Sequence, residues 1–405
     1  MEKKYKLMLA AFSGVPFLMV LGNSMLIPEF PRIKSALDIS QFQMSLMITL
    51  FSASAGITIP FLGYLSDRVG RKKVIVPSII LYGIGGLISG LAALLIKNPY
   101  VIILVGRVVQ GIGAAGTTSI VMAFVGDIFQ STQRSEALGI IEASNGFGKV
   151  MSPILGSAIA LISWIALFFS YAFLAIPVAL GVWILSKEPK SRKEQKGQNV
   201  REYLRKIGEI FRKEGRSLAM CFLAGLLILL ILFGLLAHVS DIIETRYHVK
   251  GIIKGLVMAI PIALMSLVAY LTGWELKKLG RYYKHSMTLG LLLVFAGSLV
   301  FPLAASALTY ILFLSIIGLG NGLVLPALNT LITSAAALQQ RGGITSLYGS
   351  VRFLGVAVGP PAYCLLNEVS ETVMFYTGGG LALITAILAY LFIQEKGLTP
   401  GQHNN

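Results

Sequence analysis

The sequence predicts an all-α membrane protein, with twelve transmembrane helices in two six-helix bundles. Three observations carry this. Of 405 residues, 55% are hydrophobic and only 13% charged, about half the charge of an ordinary soluble domain. Mean hydropathy is +0.78. Apolar runs long enough to cross a bilayer as a helix, about twenty residues, recur along the whole chain, and lysine and arginine gather in the gaps between them.

The predicted spans are 6–28, 43–65, 74–96, 100–125, 136–161, 163–185, 218–242, 252–274, 285–306, 308–334, 344–366 and 372–394. The first begins after a basic start, MEKKYK, and its apolar stretch continues to about Ile27 without a small-residue cleavage site before a polar region. It therefore reads as a retained helix and not as a removed signal peptide. Twelve is even, so both termini fall on one side. That side carries 25 lysines and arginines, the opposite side six (Arg32, Lys34, Lys97, Arg246, Lys250, Lys254), and three more (Arg107, Lys149, Arg352) lie inside spans. Positive loops stay in the cytoplasm, so both termini are expected there, in a multi-pass protein of the cell membrane. The stretch GYLSDRVGRKK, residues 63–73, has one acid and four bases in eleven residues. It becomes a cytoplasmic turn between spans 2 and 3.

The formal charge of +16 invites a nucleic-acid reading, but such binders gather their bases on a water-exposed face. Bases confined to short gaps follow from topology instead. The longest polar segment, 186–217, separates six spans from six. The expected organisation is thus an N-terminal bundle at 1–185, a cytoplasmic linker at 186–217, a C-terminal bundle at 218–394 and a cytoplasmic tail at 395–405. Tyr203, Leu204, Ile207, Ile210 and Phe211 recur at near-helical spacing among bases. This fits a helix lying on the anionic inner leaflet, and it fits a solvated linker equally. Cys221 and Cys364 both sit in apolar runs and read as small core residues, with no metal or disulfide framework.

The halves repeat. Gly63 to Arg71 and Gly273 to Arg281 both read G-x-x-x-x-x-x-G-R, 210 positions apart. Gly148-Lys-Val-Met-Ser-Pro153 recurs 207 positions later as Gly355-Val-Ala-Val-Gly-Pro360. Six-helix repeats of one orientation suggest a carrier with its substrate between two bundles near mid-membrane.

With these motifs in view, the whole chain resembles the major facilitator superfamily, and within it the drug:proton antiporter-like branch. The loop motif G-x-x-x-D-R-x-G-R-K/R-K/R is matched at Gly63, Asp67, Arg68, Gly70, Arg71, Lys72 and Lys73. The motif R-x-x-Q-G-x-G-A-A is matched in span 4 at Arg107, Gln110, Gly111, Gly113, Ala114 and Ala115. The branch's span-5 motif, G-x-x-x-G-P-x-x-G-G, appears as Gly148, Ser152, Pro153, Gly156 and Ser157, with serine at two glycine positions. The resemblance implies that Asp67 faces the N-terminus of span 11, near Gly342–Thr345, and latches the outward-open state. A helix dipole favours an acid there. It also implies that Arg71 pairs with Asp127 at the end of span 4. Lys72 and Lys73 read as topology residues only. The second half has Lys277 where the first has Asp67, so the latch is expected to be one-sided.

Ionisable groups inside a membrane line a cavity or find a partner. Arg107 keeps its charge but can lower the pKa of a nearby carboxylate; the alternative is a purely structural role. Glu142 and Lys149 are seven apart in span 5, on one face and about 10 Å apart along the axis, with Asn145 and Gly146 between them. Glu142 is the best proton carrier by this reading, or else a permanently ionised partner of Arg107 or Lys149. Arg352 aligns with Asn145 through the repeat and suits an anionic substrate, or a paired helix base. Asp241 and Glu244 lie near the outer end of span 7, and Glu29 reads as a solvated end residue. Ser24, next to Asn23, stands where the family pattern that LGNSMLIPEFPRI resembles has an aspartate, four residues before the first proline. His238 reads as pH-sensitive or merely polar. Gly111, Gly113, Gly116, Gly148 and Gly156 permit close helix contact, and Pro153 and Pro360 permit bends, as do Gly355 and its neighbours in the second half.

The function that follows is a secondary active transporter. It exports small amphipathic molecules, a drug or metabolite, by alternating access coupled to protons. A lipid or glycolipid flippase and a nutrient uptake carrier are the alternatives within the fold. A membrane sensor or enzyme is the reading outside it. No G-x-x-x-x-G-K-[ST] loop marks an ATP pump, and no catalytic motif marks an enzyme. Protons, a small-molecule substrate and membrane lipids are the expected partners, with no cofactor, no metal and no nucleic acid, in a monomer.

Overall fold

The computed structural model describes residues 3–129, 131–186, 188, 200–304, 306–335 and 341–395. They form helices and short 3-10 turns. The helices are α1 (Lys3–Ser24), α2 (Phe30–Leu37), α3 (Gln41–Val69), α4 (Arg71–Leu95), α5 (Tyr100–Ala115), α6 (Thr118–Ile128), α7 (Ser131–Ala160), α8 (Ala166–Leu185), α9 (Val200–Thr245), α10 (Gly251–Leu279), α11 (Tyr283–Val300), α12 (Ala307–Ser334), α13 (Arg341–Val369) and α14 (Glu371–Phe392). Eleven segments among the described residues are long and apolar enough to cross a membrane. The fifth predicted span lies within α7, which is 30 residues long. Its serines, glycines, Asn145, Glu142 and Lys149 make it less apolar than the rest.

The chain divides into two compact units, one of Met1–Asn199 with Gly251–Gly255 and one of Val200–Lys250 with Leu256–Asn405. In the first, α4 packs chiefly on α5 and α8, and α1 packs on α7. In the second, α9 packs chiefly on α13, and α11 packs on α12 and α14. Lipid is as apolar as leucine, so close van der Waals packing must hold such helices together. Glycine provides it. A Cβ on Gly113 would fall against the backbone of Ser78 and Tyr82 on α4, and one on Gly156 against Met25 O. One on Gly355 would fall against Leu226 O of α9. The repeated motifs thus supply the same kind of seam in each unit, α7 on α1 and α13 on α9.

The second glycine of each G-x-x-x-x-x-x-G-R repeat ends a helix. Gly70 has φ 109° and Gly280 φ 65°, backbone that glycine adopts without steric penalty. Two features differ from the expected spans. Span 4 is broken into α5 and α6 at Gly116 and Thr117, where Thr117 has φ −112° and ψ −96°. Its hydroxyl donates back to Ala114 O, a local bond that competes with the helix. The second half of 186–217 is helical and continuous with span 7, making the 46-residue α9. The side chains of Tyr203, Leu204, Ile207, Ile210 and Phe211 lie outside the described residues.

Candidate functional site

Arg107 is wholly buried on α5. Its guanidinium donates to Gly22 O of α1 at 2.7 Å, to Met47 O of α3 at 3.0 Å and to Gln110 Oε1 at 2.6 Å. It lies 4.4 Å from the centre of the Phe51 ring and 5.9 Å from that of Tyr171 on α8. Among the described residues no carboxylate joins it. Gly22 is in the last turn of α1, where carbonyls lack helical partners and the dipole is negative. Arg107 therefore caps α1 from inside the unit. The spacing R-x-x-Q places Gln110 one turn away, which accounts for their contact. Gly22, Met47 and Phe51 had no sequence signal, because they meet Arg107 only through packing.

On α7, Glu142 is exposed, whereas Asn145 and Lys149 are partly buried. Glu142 and Arg107 are not in contact. Asn145 Oδ1 is buried without a hydrogen-bond partner. Ser144 Oγ donates to Ser13 O at 2.6 Å and ties α7 to α1. Just beyond the C-terminal end of α1, Glu29 is buried, 7% exposed, and not solvated as expected. It sits in the 3-10 turn Ile27–Glu29, which leads directly into α2. Arg32 of α2 donates to Ala160 O at the end of α7. Asn23 Oδ1 accepts from Ser52 Oγ at 3.1 Å.

The charged loop is a network. Arg71 is buried and reaches Asp67 Oδ1 at 2.6 Å, Asp127 Oδ2 at 3.3 Å and Ser66 Oγ at 2.7 Å. Asp67 and Arg71 meet across the Gly70 break. Lys72 does more than expected of a topology residue. Its amine donates to Ser186 O at 2.9 Å and lies 5.1 Å from the Trp183 ring centre. Glu188 accepts from Lys72 N at 2.8 Å, so a carboxylate covers the free N-terminus of α4. Lys73 and Arg68 are exposed, Arg68 beside the Tyr64 ring.

In the second unit, Arg352 on α13 lies 5.4 Å from the centre of the Tyr348 ring. Arg352 Nε and Tyr348 Oη are both buried without hydrogen-bond partners, so this pair holds unused donor capacity. Near the far end of α9, His238 Nε2 lies 3.6 Å from Glu371 Oε1. Glu371 also accepts from Arg246 at 2.8 Å and from Tyr310 at 3.2 Å. The hydrogen bond to Glu371 holds the Arg246 guanidinium above its usual pKa. Glu371 and Tyr310 carried no sequence signal, since they are at the first turns of separate helices. Cys221 is buried and Cys364 half-buried.

A family profile described as the Major Facilitator Superfamily matches residues 12–360. The chain belongs to this superfamily. It is a multi-pass membrane transporter of small molecules and not an enzyme. A bacillibactin exporter of Bacillus subtilis is 38% identical over 388 residues, 95% of this chain and 96% of that one. Multidrug resistance protein 2 of the same species is 27% identical over 391 residues, 94% of each chain. Among solved structures, an inward-facing, occupied bacterial homologue of the human lysosomal transporter Spinster matches with TM-score 0.79 at 17% identity, over 99% of this chain and 100% of that one. A D-xylose–proton symporter matches with TM-score 0.78 at 13% identity, over 97% and 99%. At such identities the structures establish the fold alone.

Proposed function

We propose that the protein exports small amphipathic molecules by alternating access and is driven by protons moving inward. The observation that carries the export reading is the 38% identity with a bacillibactin exporter along 95% of this chain. Two multidrug resistance proteins of Bacillus subtilis support it. Bacillibactin is accordingly the first cargo to test. The working parts proposed are two bundles, 1–185 and 218–394, joined by 186–217, with 395–405 as a tail. The linker, the tail and both termini are placed in the cytoplasm of a monomer in the cell membrane.

Within unit 1, Arg107, Glu142, Asn145 and Lys149 are proposed to serve coupling and the cargo path, and Arg352 to do so in unit 2. The unused donors of Arg352 and Tyr348 suit an anionic or hydroxyl-bearing cargo. Gly63, Asp67, Arg68, Gly70, Arg71 and Asp127 are the proposed latch. Gln110, Gly111, Gly113, Gly148, Pro153, Gly156, Gly355 and Pro360 are the proposed packing and hinge positions. The test is transport into inside-out vesicles, using bacillibactin and a panel of amphipathic drugs, with and without a pH gradient. Accumulation of bacillibactin or a panel compound that collapses with the gradient is the expected result. Absence of transport refutes the export reading, and transport indifferent to the gradient refutes proton coupling.

A further inference from the structure

The ends of three helices in unit 2 converge on one carboxylate. Glu371 opens α14, one residue after its cap Ser370, whose hydroxyl accepts from Val373 N at 3.0 Å. An ionised carboxylate is favoured in that first turn by the unpaired N–H groups and the helix dipole. Glu371 Oε2 accepts from Arg246, beyond the end of α9, at 2.8 Å. Its Oε1 accepts from the Tyr310 hydroxyl of α12 at 3.2 Å. The remaining approach to Oε1 is taken by His238 Nε2 at 3.6 Å. That nitrogen is buried and makes no hydrogen bond.

The imidazole is enclosed. Its side chain is 11% exposed, and its edge meets the Phe375 ring, with centres 6.1 Å apart. Phe375 stacks on Phe301 at 4.0 Å, and Phe301 meets Tyr310 at 4.4 Å. Glu371 and Arg246 are more open, with side chains 29% and 49% exposed, and so connect the imidazole to the surface. Other titratable groups near this end are Asp241 and Glu244 on α9, Tyr247, whose ring packs against Tyr310, His248, Lys250, and Glu368 at the end of α13. Glu371 comes within ion-pair distance of the imidazole.

We propose that His238, seated against Glu371, is a proton-binding site of the carrier, distinct from any on α7 and reached from the side that the lysine–arginine count assigns to the outside. Three features argue for it. An imidazole is the side chain whose charge ordinarily changes between pH 5 and 8. Nε2 faces a carboxylate oxygen, which can accept a hydrogen bond from it whenever that nitrogen carries hydrogen. A proton there turns a 3.6 Å gap into a charge-assisted donor–acceptor pair, the stronger kind of hydrogen bond. It would draw α9 onto α14 at the end where Tyr310 also fixes α12. Arg246 and Tyr310 already fix the carboxylate, so Glu371 is positioned whether or not His238 carries the proton. The inference extends the proton-coupled reading to unit 2 but rests on a separate cluster.

The experiment uses the full chain in nanodiscs with nitrogen-15-labelled histidine. The sequence has four histidines, at 238, 248, 285 and 403. Replacing the other three by glutamine leaves His238 as the only signal, without altering the site. Its ring nitrogens are expected to change protonation state between pH 5 and 8. In vesicles, transport at fixed inner pH is expected to change as outer pH crosses the same range, and His238→Gln is expected to lose that step. Glu371→Gln tests the same cluster should the histidine variant fold poorly, and should also lose the step. A His238 signal that does not titrate in this range overturns the proposal, as does a His238→Gln profile that retains the wild-type step. If His238 titrates while wild-type transport ignores pH, the site stands and proton coupling of transport fails.

Discussion

Replacing Arg107 with methionine separates what this buried cation does for the fold from what it does for transport. Methionine has a similar length and no charge. Three hydrogen bonds are lost, to Gly22 O, Met47 O and Gln110 Oε1. Bonds from a charged donor contribute about 1.5–3 kcal/mol each, so the gross loss is roughly 5–9 kcal/mol. Against this stands the desolvation of a fully buried guanidinium, several kcal/mol, which the variant no longer bears. Met47 is in mid-helix and keeps the helical bond to its carbonyl, so its unmet need is small. Gly22 O and Gln110 Oε1 are left short, at about 1–3 kcal/mol each. The net expectation is a loss of about 2–4 kcal/mol, on the order of 5–15 °C in unfolding temperature for a unit of this size. Tryptophan fluorescence of Trp164 and Trp183 during heating in nanodiscs reports it. A cycle sharpens the test: Gln110→Leu should cost about 1 kcal/mol less in the Arg107→Met background than in the wild type, because its partner is already gone. Wild-type stability of Arg107→Met, or strict additivity with Gln110→Leu, would refute the view that Arg107 caps α1. Transport should fall in either case if the charge also serves coupling.

Four further outcomes can be measured. Single cysteines at Ser191 and Asn98, in a protein lacking Cys221 and Cys364, should be labelled by an impermeant reagent from opposite sides of the membrane; labelling from one side would overturn the topology. Gly113→Val should abolish folded yield in size-exclusion profiles, since its side chain would enter the backbone of Ser78 and Tyr82. Gly146→Ala, with nothing within 4 Å of the new methyl, should be neutral or stabilise by about 0.5–1 kcal/mol. Glu142→Gln should retain substrate exchange between vesicle faces but lose accumulation driven by a pH gradient, if Glu142 carries the proton; normal uphill transport would leave it a polar surface residue of α7.

How much of this was legible follows from the range over which each interaction acts. Helix positions were readable because a bilayer imposes a minimum apolar length, and that length is written in consecutive residues. The internal repeat was readable for a related reason: Gly70 and Gly280 each end a helix with positive φ, a local demand that only glycine meets cheaply. Arg71 with Asp127 was expected from the family's motif, and the two side chains lie 3.3 Å apart. What the sequence did not disclose is contact between segments distant along the chain. Nothing near Arg107 in sequence names Gly22, 85 positions away, as its acceptor, and nothing near His238 names Glu371. The break at Gly116 and Thr117 was hidden differently. Hydropathy is an average over a window, and one turn lost inside an apolar run does not lower it.

The two kinds of information meet at the buried charges. Sequence reasoning flags Arg107, Glu142, Lys149 and Arg352 alike, because each is costly in lipid. Packing distinguishes them. Arg107 is enclosed, and each of its three nitrogens donates to a carbonyl oxygen, so any part it takes in coupling is that of a fixed charge. Arg352 retains a buried nitrogen without a hydrogen bond, and a group with unused donors is the one a cargo can still engage. His238 is the corresponding case for a proton: its buried nitrogen has no hydrogen bond, and a carboxylate already waits 3.6 Å away. A carrier must bind and release, so its working groups should be those left unsatisfied in one state. By that argument, substitution of Arg107 should cost stability first, whereas substitution of His238 or Arg352 should alter transport at nearly constant unfolding temperature.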